Sequence, residues 1–105
     1  DIERDHQGAA ARALGELGEP AGAPALRLAL ADPHGGVRGE AAESLGLLKD
    51  AAAVSDLIEF LQNDTPSVRA TAAAALGKIG DPSSVPGLIV ALGDEDYSVK
   101  KAAVE

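Results

Sequence analysis

The chain has no cysteine, almost no aromatic residues and no excess of basic charge, and each shortage removes a class of chemistry. Without cysteine there are no disulfides, no thiolate metal sites and no cysteine nucleophile, a composition that fits a cytoplasmic protein. With Phe60 and Tyr97 as the only aromatics, a core must be assembled from Leu, Val, Ile and Ala. Nine basic residues stand against 17 acidic ones, for a formal net charge of −8. So acidic a chain repels phosphate backbones, and nucleic acid is not an expected partner. No apolar run approaches the roughly 18 residues that cross a membrane, and no secretory leader is visible, so no membrane partner is expected. His6 and His34 are the only histidines, too few for a metal centre without cysteine, and no metal or other cofactor is expected.

What is abundant is alanine, leucine and glycine, and they recur on a fixed period. Val37-Arg38, Val68-Arg69 and Val99-Lys100 are each 31 residues apart, as are Ala10, Ala41, Ala72 and Ala103. Leu14, Leu45 and Leu76 follow the same spacing, each with a glycine after it. Residues 32–62 match 63–93 at 11 of 31 positions, and residues 1–31 match 63–93 at another 11. A fixed period of this length marks a stacked repeat architecture, in which each unit buries its apolar face only against its neighbours.

Residues 63–93 show the unit best. Val68, Ala72, Ala75, Leu76 and Ile79 form the apolar stripe of an amphipathic helix. Thr65 or Ser67 can cap its start, and Gly80 followed by Asp81-Pro82 stops it, because glycine accepts a left-handed backbone and proline cannot continue a helix. A tight turn around Pro82–Ser84 leads into a second stripe, Val85, Leu88, Ile89 and Leu92. The same columns elsewhere predict an all-α chain with seven helices near 2–17, 20–31, 35–48, 51–62, 66–79, 82–93 and 97–105. Residues 1–17 then form the second helix of a partial unit. Residues 20–48 and 51–79 are full helix pairs, and 82–105 is a pair cut short.

The pattern of Val-Arg, Ala-Leu-Gly, Ile-Gly-Asp-Pro and Val-Pro-x-Leu-Ile resembles the HEAT repeat, and more narrowly the phycobilin-lyase-like (PBS-lyase-like) subtype, over essentially the whole chain. The resemblance implies a right-handed α-solenoid in which the Val-Arg helices line the concave side. It also implies a ladder of acid–base pairs along the inner turns, with Asp32, Asn63 and Asp94 as one column and Arg38, Arg69 and Lys100 as the other. Asn63, Lys100 and Gln7 depart from that pattern. Its bland role is to tie turns together. A HEAT-like enzyme, deoxyhypusine hydroxylase, carries His-Glu pairs for a di-iron centre. Here His6 precedes Gln7 and His34 precedes Gly35, so that activity does not carry over.

If the Val-Arg helices line a groove, the positions that vary between repeats face the partner: Arg12, Glu16, Glu40, Glu43, Leu47, Thr71, Ala74, Lys78 and Lys101. Tyr97, at the turn into the last helix, is either an interface anchor or a cap on the edge of the core. Phe60 is read as filler between outer helices. No catalytic residues are expected. The leading expectation is a non-enzymatic scaffold that binds a protein or peptide in its concave groove. The alternatives are a phycobilin lyase-like subunit or chromophore chaperone, and a spacer, oligomerisation segment or designed repeat. Neither end carries a polar capping helix, so further repeats or another chain are expected to pack there.

Overall fold

The computed structural model describes residues 20–104, and every regular element among them is helical. The α-helices are α1 (Ala23–Ala29), α2 (Gly35–Leu48), α3 (Val54–Asn63), α4 (Pro66–Ile79), α5 (Val85–Ala91) and α6 (Tyr97–Val104). The helix expected over 2–17, with Arg12 and Glu16, lies outside the described residues. The helices expected over 20–31 and 51–62 open instead with 3-10 turns, at Pro20–Gly22 and Ala51–Ala53, and the tight turn expected around Pro82–Ser84 is a 3-10 turn as well. At the last of these, Asp81 Oδ1 accepts the Ser83 N–H at 2.8 Å, and the buried Ser84 hydroxyl donates to the Asp81 carbonyl at 2.7 Å. The tightened turn thus satisfies backbone groups that a helix start leaves without partners.

Short connections make hairpins of α1–α2, α3–α4 and α5–α6, and the hairpins stack side by side. In one row α2 packs along α4 and α4 along α6; in the other, α3 and α5 touch only lightly. Leu26, Leu45, Leu57 and Leu76 are fully buried between the rows, and Val99 closes the core beneath α6. Phe60 is half-buried against this core, in keeping with a filling role.

The α2–α4–α6 row is close because its contacts are made by small residues. Ala41, Ala42, Ala72, Ala73 and Ala75 are buried there. Gly46 approaches α4 so tightly that a Cβ on it would lie 2.8 Å from Ala75 Cα and 2.9 Å from Ala75 Cβ. In the α3–α5 row, the larger side chains of Val54, Ile58, Phe60 and Leu61 pack into or against the core.

Candidate functional site

The α2–α4–α6 row presents an outer face built from parallel stripes. On α2 these are Gly36, Glu40, Glu43 and Leu47; on α4, Ser67, Thr71, Ala74 and Lys78, each set at helical i, i+4, i+7, i+11 spacing. The buried residues between them (Val37, Ala41, Leu45; Val68, Ala72, Leu76) point the other way, into the core. Glu43, Leu47 and Lys78 are exposed, and Glu40, Thr71 and Ala74 are half-exposed.

Two shallow hollows open along the seam between α2 and α4. One, of about 270 Å³, is floored by Gly35, Gly36 and Gly39 and edged by Glu40, Glu43 and Thr71. The other, of about 240 Å³, lies between Glu43, Ala70, Thr71, Ala74 and Lys78. Glu43 and Thr71 belong to both, so the hollows run on into one another. The Thr71 hydroxyl donates to the Ser67 carbonyl at 3.0 Å, which leaves its methyl group and an oxygen lone pair for a ligand. The seam therefore offers carboxylates at one end, an ammonium at the other and small apolar residues between.

Lys101 is exposed on α6. Tyr97, the first residue of α6, is 68% exposed and does not cap the core, because Val99 takes the inward position. Its side chain is exposed at the N-terminal end of α6.

The acid–base ladder is present at the turns with a different acidic member. Arg38 Nε donates to Asp64 Oδ2 at 2.8 Å and Nη2 to Asp64 Oδ1 at 2.7 Å, while Nη1 donates to the carbonyls of Asp32 and Pro33. Asn63, expected in this column, is instead the last residue of α3. That helix continues through the two positions that form a turn after α5, so the chain leaves it one residue later and the leading carboxylate becomes Asp64. Arg69 repeats the arrangement on Asp94, at 3.0 and 3.1 Å, and donates to the Asp64 carbonyl at 2.8 Å. Each arginine thus binds its own turn through a carbonyl and the next turn through a carboxylate.

The charges respond to this pairing. The Arg38 hydrogen bonds hold the Asp64 carboxyl below the usual carboxylate range, helped by the Thr65 N–H, and Asp64 in turn raises Arg38. Asp94 is lowered by the Asp96 N–H and then by Arg69. Asp32 accepts the His34 N–H at 2.8 Å. Lys100 is exposed at the end of the row.

Sequence reasoning missed two partners. Asp64 stood one position outside the repeat column, although Arg38 needed an anion and Asn63 supplies none. Asp50 accepts from Arg27 Nη1 at 2.7 Å, tying α1 to the turn after α2; the available signal was a lone arginine in the apolar column that carries Ile58 and Ile89. Among the described residues, no three His, Asp or Glu side chains converge as metal ligands do, and no helix is long and apolar enough to cross a membrane.

No curated protein sequence matches the chain. The family model described as HEAT repeats matches residues 1–67 and again 54–105, and such repeats commonly mediate protein–protein interaction. Stacked helical hairpins and this match over the whole length agree: the chain belongs to the HEAT repeat family.

Proposed function

We propose that the α2–α4–α6 row lines the concave side of a right-handed solenoid with a 31-residue unit of the phycobilin-lyase-like kind, and that its seam binds a peptide or protein partner without catalysing a reaction. The closer spacing of this row supports the concave assignment, since a stacked array bends toward its more tightly packed layer. The observation that carries the reading is the run of hollows sharing Glu43 and Thr71, bordered by Glu40, Ala74 and Lys78. Leu47, 43% exposed on the same stripe of α2, adds an apolar contact. Tyr97 and Lys101 extend the surface onto α6, and Arg12 and Glu16 belong to the same proposed surface. Arg38, Arg69 and their carboxylates serve the scaffold, because their donors are already engaged with the turns. Asp32 and Lys100 complete that structural ladder. The scaffold works in the cytoplasm in this reading.

The test is affinity capture from native lysate with the chain and with a Glu40→Lys/Glu43→Lys/Leu47→Ala variant, read by mass spectrometry. A protein recovered with the first and lost with the second supports the groove. The same proteins recovered by both would place binding on another face. For a captured basic partner, Glu40→Lys/Glu43→Lys lowers affinity about tenfold or more and flattens its dependence on salt.

A further inference from the structure

The hollow of about 240 Å³ on the α2–α4 seam is bracketed by charges of opposite sign that do not meet. Glu43 stands at its α2 edge and Lys78 at the far end of its α4 side, with Ala70 and Ala74 between them. Elsewhere opposite charges close on one another: Arg27 on Asp50 at 2.7 Å, Arg38 on Asp64 at 2.7 Å and Arg69 on Asp94 at 3.0 Å. The Glu43 carboxylate and the Lys78 ammonium form no ion pair or hydrogen bond among the described residues. The repeat sets them apart. The α4 position matching Glu43 is Ala74, and Lys78 lies one turn beyond it. One turn is about 6 Å of rise and packed helices run about 8–10 Å apart, so the two positions stand about 10 Å from one another across the seam.

The space between the two charges suits an extended chain better than a helix. The seam is narrow, because Gly46 lets α2 approach the Ala75 backbone, whereas a helix with its side chains is about 10–12 Å across. A helix also docks through a stripe of large apolar residues. Between Glu43 and Lys78 the hollow offers only alanine and Thr71. An extended chain instead needs acceptors for its backbone N–H groups. The Thr71 hydroxyl gives its proton to the Ser67 carbonyl and keeps a lone pair to accept one. In an extended chain, residues three apart are separated by about 10 Å and point to opposite sides. Both the separation and the sidedness match the two charges.

We propose that the seam recognises an extended peptide segment with a basic and an acidic residue three positions apart. The basic side chain lies against Glu43, the acidic one against Lys78, and the two residues between them are small and lie over Ala74. This rests on the groove reading and adds the chemistry of the occupant. The overall charge sets a rival expectation. At a formal net charge of −8, the chain as a whole attracts a doubly basic segment more strongly than one of mixed charge. Pairing with Lys78 reverses that order.

The test is a methyl-detected NMR titration of the chain with three end-blocked peptides: Ser-Lys-Ala-Ala-Glu-Ser, the same peptide with two lysines, and the same with two glutamates. The mixed peptide shifts the methyl signals of Ala70, Thr71 and Ala74, and at about 0.15 M salt it binds about threefold or more tightly than the doubly basic one. Glu43 and Lys78 are exposed, so substituting them leaves the core untouched. Lys78→Glu makes the doubly basic peptide the tightest of the three, and Glu43→Lys makes the doubly acidic one the tightest. A mixed peptide with both alanines replaced by α-aminoisobutyrate, which favours a helix, binds more weakly. Preference for the doubly basic peptide, or an order that Lys78→Glu does not move, overturns the inference and leaves the groove standing if Ala70 and Ala74 still shift. Equal binding of the α-aminoisobutyrate peptide also overturns it, because the occupant would then be a helix. So does the absence of methyl shifts with all three peptides at millimolar concentration, and the lysate capture then decides the groove separately.

Discussion

Lys49 has φ 53, in the left-handed region, at the position where α2 stops. The position 31 residues later is Gly80, with φ 72, at the stop of α4. The same backbone is thus reached in one repeat by a residue suited to it and in the other by one that is strained there. A left-handed conformation costs an L-residue with a Cβ about 1–2 kcal/mol. Lys49→Gly is accordingly expected to stabilise the chain by about 1 kcal/mol, and Gly80→Ala to destabilise it by a similar amount, both read from urea midpoints. At the turns, Asp64→Asn removes the bidentate contact with Arg38 and is expected to cost about 1–3 kcal/mol at neutral pH. The native state lowers the Asp64 pKa, so this stabilisation is fully present above the unfolded carboxylate value of about 4 and disappears as pH falls through the lower folded value. Wild-type and Asp64→Asn urea midpoints should therefore converge in acid and separate above about pH 4. Asp64 was not legible from the period, because a strict column ends on Asn63 and only the length of α3 moves the carboxylate by one residue.

Among the helices, α2 and α4 form the joint on which the proposed groove depends, and glycine plays opposite roles along it. At Gly46 a methyl group meets the Ala75 backbone, which cannot turn aside. Gly46→Ala should push the two helices apart and cost about 1–3 kcal/mol. At Gly39 an added Cβ meets nothing within 4 Å. Gly39→Ala should stabilise α2 by about 0.5–1 kcal/mol through helix propensity alone. Thermal melts of the two variants, moving in opposite directions, check both statements. The stripes Glu40–Glu43–Leu47 and Thr71–Ala74–Lys78 were legible because helical spacing turns a list of variable positions into one face. Their meeting in continuous hollows was not, since it depends on how closely α2 and α4 approach. Tyr97 shows the same boundary: spacing placed it at a helix start, and packing left it exposed.

At the scale of the molecule, a stacked array owes each unit's stability to its neighbours. The middle hairpin is flanked on both sides, whereas α5 leaves Val85, Ile89 and Leu92 in water. Amide exchange is expected to be slowest in α3 and α4 and fastest in α5 and α6, where apolar residues stay exposed. Uniform protection across the four helices would contradict this picture. The net charge of −8 acts over the same range. It favours basic partners at low ionic strength, an effect that fades as salt shortens the reach of the charges.

By itself the sequence determined the class of fold, the bounds of α2 and α4, and which of their residues face inward. All of these follow from local spacing, capping and the freedom of glycine, which act within a few residues. Only the tertiary structure decided that Asp64 meets Arg38, that Gly46 lets α2 touch α4, and that Glu43 and Lys78 border one hollow without meeting. Those depend on distances between residues about 25 or more positions apart, set by how far each helix runs before it turns and by which side chains hold two helices apart.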